Sequence, residues 1–153
     1  MRLSFSTRGW KDITWDRFLD IAEEMDFAGI EVYKLIGDKE LYVKGEAFNQ
    51  YNIAATTRQL RDRKLSIPVF DGKYDLTKPE AIEDIKKIID VASYMRVDNV
   101  GIGIMTDDED SIKRAISELL PIAREKNVII LIETELKDIT FCQLKVTNTF
   151  LLG

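Results

Sequence analysis

Asn99 to Met105 reads NVGIGIM, and its alternation decides between two folds. As a strand, it places Val100, Ile102 and Ile104 on one face and Asn99, Gly101 and Gly103 on the other. An open sheet with helices on both faces should read as a continuous hydrophobic run. One aliphatic and one small or polar face instead fit a barrel, with the aliphatic side turned outward to helices and the other lining a cavity. The glycines do not rescue a dinucleotide site, because no G-x-G-x-x-G can be drawn through GIGIM.

The same asymmetry recurs outward from this strand. Ile30 and Val32 oppose Glu31 and Tyr33, and Leu3 and Phe5 oppose Ser4 and Ser6. Five strands are expected, at Leu3–Ser6, Gly29–Tyr33, Ile67–Phe70, Asn99–Ile104 and Val128–Ile132. Their starts lie roughly 26 to 38 residues apart, the size of a βαβ unit. Between them, Trp15, Phe18, Leu19, Ala22 and Met25 fall at helical spacing, as do Ile82, Ile85, Ile88, Ile89, Ala92 and Met95. A less amphipathic helix is expected around Asn52–Arg63.

Thr77-Lys78-Pro79-Glu80 and Thr106-Asp107-Asp108-Glu109 each have capping-box spacing before a helix. The acidic run Asp107–Asp110 therefore reads as a helix N-terminus rather than a metal loop. Pro121 is expected to kink or shorten the helix carrying Ile112, Ala115, Ile116, Leu119 and Ala123. Leu35–Asn52 is the one long connection, of the kind that usually serves a site. The pattern changes near residue 135, so 1–135 reads as a parallel (β/α) barrel of the TIM type that stops after about strand five, and 136–153 as an atypical C-terminal tail.

Composition narrows the chemistry. The 153 residues are 45% hydrophobic and 32% charged, as expected of one globular domain. A net charge of -5 disfavours a nucleic-acid surface. A single cysteine, Cys142, excludes an internal disulfide and suits a reducing compartment. No apolar run is long enough for a membrane span, and the N-terminus has no signal-peptide pattern, so a cytoplasmic location is expected. There is no histidine, which leaves carboxylates, lysines and tyrosines to handle protons.

Three blocks, LSFSTRGW, FLDIAEEMDFAGIEVYK and LLPIAREKNVIILIETE, stand in barrel order. Together they resemble the xylose isomerase-like TIM barrel superfamily of sugar phosphate isomerases and epimerases. The resemblance covers roughly residues 1 to 135. It implies a metal-dependent isomerase or epimerase acting on a sugar or sugar phosphate, in which a proton is moved next to a carbonyl. It further implies that Glu133 occupies the position of a catalytic ligand to a divalent metal (Mn, Mg or Zn). The family's remaining ligands, an aspartate, a histidine and a glutamate, come from later strands that this chain does not encode. An inactive truncated product, a frame-shifted one or a cut fragment is therefore expected, which need not bind a metal by itself.

Barrel sites lie at the C-terminal ends of the strands. That face would present Thr7, Arg8, Glu31, Tyr33, Asp71, Met105, Thr106, Glu133 and Glu135. Glu31, Asp71, Trp10 and Tyr33 are the candidate substrate-binding residues. Glu31 fits equally an internal ion pair with Arg2 or Arg8, Asp71-Gly72 is also turn chemistry, and Trp10 fits both a pocket wall and a cap on the mouth. Lys34 fits an anion clamp or an ordinary strand-end lysine. Open sheet edges predict self-association. The competing readings are a non-enzymatic half-barrel scaffold that binds a partner, and an apurinic-endonuclease-like fragment, which the acidic balance disfavours.

Overall fold

The computed structural model describes residues 2–10, 13–36 and 46–133. The tail 136–153, the boundary near 135, Cys142 and Glu135 lie outside these residues, as does 37–45 of the long connection. The elements are β1 (Ser4–Ser6), α1 (Trp15–Glu24), β2 (Gly29–Tyr33), α2 (Ile53–Asp62), β3 (Phe70–Asp71), β4 (Lys73–Tyr74), α3 (Pro79–Met95), β5 (Asn99–Ile104), α4 (Glu109–Glu125) and β6 (Ile129–Glu133).

All strand pairs are parallel: β1 with β2, β2 with β3, β3 and β4 with β5, and β5 with β6. The pairs Phe70–Val100 and Lys73–Gly103 keep one register, so β3 and β4 are two pieces of a single barrel strand. Counted that way, neighbours across the sheet follow chain order from first to fifth. A doubly wound sheet reverses order at a switch point, whereas a (β/α) barrel does not. The chain therefore has the fold of a partial TIM-type barrel.

The outer face carries the core. Ile30, Val32, Phe70, Val100, Ile102 and Ile130 are buried against Phe18, Leu19, Ile85, Ile88, Ile89, Ala92, Ile112 and Leu119 from the helices. Each fully buried aliphatic side chain contributes on the order of 1.5–3 kcal/mol, so this layer holds the strands in place. Met25, expected in the first helical stripe, ends 63% exposed.

Helices α1, α2, α3 and α4 stop in the same way. Asp26, Lys64, Arg96 and Asn127 take the left-handed conformation. The next residue turns its N–H back five positions: Phe27 to the Ala22 carbonyl, Leu65 to Leu60, Val97 to Ala92 and Val128 to Ala123, at 2.8–2.9 Å. This is the Schellman closure, with an apolar residue following the left-handed one. It sends the chain from each helix into the next stretch beside the sheet.

Three local expectations are corrected. The third barrel strand begins at Phe70, not Ile67. The Ile30 N–H reaches Ser66 and the Val32 N–H reaches Val69, so one extra residue is accommodated around Pro68, which has no N–H to give. The Pro68 carbonyl is taken instead by the Asn99 side chain at 3.0 Å. Second, neither threonine caps its helix. Lys78 is the N-cap of α3 without a side-chain bond, while the Thr77 hydroxyl donates to Asp75. Asp108 caps α4, accepting from the Asp110 and Ser111 N–H groups. Third, Pro121 does not shorten α4, which runs through it. Pro121 and Ser117 are both exposed, so the carbonyl left without its helical donor faces water.

Candidate functional site

Parallel register puts residues opposite one another on the same face. Ser6 stands beside Glu31, Tyr33 beside Asp71, Lys73 beside Gly103, and Gly103 beside Glu133. From the sequence, Ser6, Glu31, Tyr33 and Gly103 fall in strands and Asp71 and Glu133 at strand ends; the sheet brings them to the C-terminal end of one inner face, where a barrel site belongs.

The two glycines of β5 form its floor. A Cβ on Gly101 would collide with the Asp71 carboxylate. A Cβ on Gly103 would lie 2.8 Å from the Lys73 stem and 3.3 Å from the Glu133 carboxylate. The absence of side chains in β5 thus lets groups from both neighbouring strands lean over it. This is close approach, not a turn requirement.

The β1–β2 side is tied down more firmly. The Ser6 hydroxyl donates to Glu31 Oε1 at 2.5 Å, and its oxygen accepts the Arg8 N–H at 3.1 Å. Among the described residues no ion pair joins Glu31 to Arg2 or Arg8, so the expected alternative of an internal ion pair gives way to a serine hydrogen bond. The fully buried Thr7 accepts the Tyr33 N–H at 2.9 Å, and its own N–H reaches the Glu31 carbonyl. Arg8 then lies over the Tyr33 ring, 4.9 Å from its centre, a cation–π contact.

The electrostatics confirm that these groups feel one another. Burial pushes the Asp71 carboxyl above the usual aspartate range; a backbone hydrogen bond from Gly72 opposes this, Glu31 and Glu133 add to the rise, and Arg8 pulls downward. Asp71 is therefore disposed to hold its proton to higher pH than an ordinary aspartate. Tyr74 is buried on the other face, and its phenol is raised chiefly by desolvation.

Of the sequence candidates, Glu31, Tyr33, Asp71 and Glu133 come together here. Trp10 does not join them. It packs edge-on against Phe5 and Phe18, each ring centre 6.1 Å away, in the aromatic cluster on the helix side of β1. Lys34 takes a left-handed turn whose N–H caps the Asp71 carbonyl at 2.7 Å. Ser6 and Lys73 were not singled out from the sequence; strand parity was the available signal for Ser6, while Lys73 lay beyond the expected end of its strand. The Arg8–Tyr33 stack joins residues far apart in sequence and left no local signal.

A divalent metal of the kind the family resemblance implies does not find a complete ligand set here. Among the described residues no three His, Cys, Asp or Glu side chains are placed to hold a metal ion. Glu133 offers one carboxylate at the strand end. Among the described residues, too, no helix is long and apolar enough to cross a membrane.

Comparison with known proteins places this geometry. The sequence pattern of the xylose isomerase-like TIM barrel matches residues 19–149. No curated protein sequence matches. Among solved structures, a xylose isomerase domain protein from Planctomyces limnophilus is similar with a TM-score of 0.65 at 14% identity, over 88% of this chain and 52% of that one. A probable 3-DHS dehydratase, AsbF, of petrobactin synthesis in Bacillus anthracis gives 0.62 at 18%, over 88% and 53%. An IOLI protein with a bound zinc atom gives 0.66 at 15%, over 86% and 51%. The chain spans about half the length of the solved structures it matches.

Proposed function

Because the chain belongs to the xylose isomerase-like TIM barrel family, we propose that it supplies the first five strands of a carbohydrate isomerase or epimerase site. The observation that carries this reading is that Asp71 and Glu133 lean over the glycine floor of β5, with Glu31 near enough on the same face to act on the Asp71 carboxyl. Isomerising or epimerising a sugar requires a proton to leave the carbon next to a carbonyl and another to return. An ionised carboxylate can take the first, and Glu133 is the exposed, strand-end candidate. A carboxyl held above its usual range can keep one ready to return, and Asp71 is placed for that. Glu31 and Tyr33 would hold hydroxyl groups of the substrate.

The described residues do not compose a metal site by themselves, and the proton transfers are assigned to the carboxyls. Glu133 is proposed as a single ligand that requires partners from elsewhere, and the chain alone is proposed to be inactive or nearly so. Titration with Mn²⁺ by calorimetry tests this role. Weak binding that disappears in Glu133→Gln supports it. Binding that survives the substitution, or none in either protein, removes Glu133 as a ligand in this chain.

A second reading rests on a different observation. In β6, Ile129 and Leu131 share the inner face and are 48% and 45% exposed, and that strand pairs only with β5 among the described residues. Open apolar edges recruit other strands, so this face would bind a second copy or a partner. A compact monomer in light scattering over a wide concentration range counts against it. Association abolished by Leu131→Lys supports it.

A further inference from the structure

The charges on the inner face bear on what part of a substrate it accepts. Glu31, Asp71 and Glu133 are close enough for the two glutamates to act on the Asp71 carboxyl, and Arg8 acts on it as well. Lys73 crosses the floor beside Glu133. Among the described residues Arg8 and Lys73 thus stand with two glutamates and with Asp71, the carboxyl disposed to keep its proton, and Arg8 is already stacked on Tyr33. Ionised carboxylates accept hydrogen bonds and cannot donate them. Ser6 donates to one oxygen of Glu31, and the other is left to accept from a ligand. A phosphate or carboxylate arriving here would bring acceptors and a like charge, whereas a row of hydroxyls would bring donors. The Arg8 guanidinium, over the Tyr33 ring and without an ion pair among the described residues, can donate to the same hydroxyls.

Resting on the reading of this face as a carbohydrate site, we infer that it takes the uncharged polyhydroxyl part of the substrate, between Glu31 and Arg8, and rejects a phosphorylated end. A phosphate carried by the substrate would have to be held elsewhere.

The test uses the whole chain, freed of metal with chelator, and compares ribose with ribose 5-phosphate by protein-observed NMR. Ribose is expected to shift the backbone amides of Arg8 and Tyr33, with ribose 5-phosphate at least tenfold weaker at low salt. Glu31→Gln should weaken ribose at least fivefold, and Ser6→Ala, a milder change, should weaken it less. Asp71→Asn should narrow the gap between the two ligands. Ribose 5-phosphate binding as tightly as ribose would overturn the inference while leaving the carbohydrate reading intact. Failure of both ligands to bind would remove the two together. Ribose binding that is indifferent to both Glu31→Gln and Ser6→Ala would also overturn it, by placing the sugar elsewhere.

Discussion

The Asp71 carboxylate rests over Gly101, in the space that the side chain of any other residue would need. That contact links strand three to strand four across the mouth of the barrel. It explains the glycine at 101, while Lys73 and Glu133 crowd the second glycine of that strand, Gly103.

Substituting Gly101 by Ala should cost about 1–3 kcal/mol of stability, the usual range for forcing extra volume into a close-packed place. The penalty should shrink when Asp71 is also changed to Ala, because the obstructing carboxylate is gone. Urea unfolding of the two single variants and the double variant measures this coupling. A neutral Gly101→Ala would show that Asp71 does not lie where it is described.

Asp71 also gives stability a pH dependence of definite sign. Its folded-state value is raised, first by burial. Between the unfolded and folded values the folded chain binds more protons, so stability falls as pH rises through that window. The contribution present below the ordinary aspartate value is lost above the raised one. Thermal melts of Asp71→Asn should therefore show a smaller decline from mildly acidic to neutral pH than the parent chain. An identical decline would place the titrating group elsewhere.

Thr7 is wholly buried and accepts the Tyr33 N–H. Thr7→Val keeps the shape and removes the acceptor, leaving that N–H without its partner. A loss of about 1–3 kcal/mol is expected. Hydrogen exchange should quicken at Tyr33 more than at Ile30, whose N–H is bound to the Ser66 carbonyl. Equal effects at both would mean general loosening instead of a lost bond.

The Arg96 turn predicts a gain. An L-residue in the left-handed region is strained by roughly 1–2 kcal/mol, and glycine there forfeits part of that relief to chain entropy. Arg96→Gly should stabilise the chain by about 0.5–1 kcal/mol in denaturant unfolding. The same change at Asp90, inside α3, should destabilise it by a similar amount.

Much of this was legible from strand parity. Gly29–Tyr33 and Asn99–Ile104 have the expected bounds, because alternation there is uninterrupted and hydrogen bonding is regular. The third strand slipped because Pro68 breaks the ladder in a way that a hydrophobic run does not announce. The Thr77 and Thr106 caps slipped because spacing does not determine which oxygen reaches the first free N–H. The left-handed turns at Asp26, Lys64, Arg96 and Asn127 carry no glycine, so composition hid them, although the apolar residue that follows each was visible. At the site, parity put Glu31 and Tyr33 on the inner face. It could not tell that Asp71 would lean over Gly101, that Arg8 would stack on Tyr33, or that Trp10 would turn to Phe18. Those are contacts between strands and layers, fixed only when the sheet assembles.

Glu31, Asp71 and Glu133 are proposed to form one inward-facing site at the strand ends. Paramagnetic broadening by millimolar Mn²⁺ in the amide NMR spectrum of the chain tests it most directly. Broadening is predicted to centre on Gly103, Glu133 and Asp71, and to vanish from that region in Glu133→Gln. Broadening centred instead on the acidic start of α4 at Asp107–Asp110, or unchanged in the Glu133→Gln chain, would contradict the account.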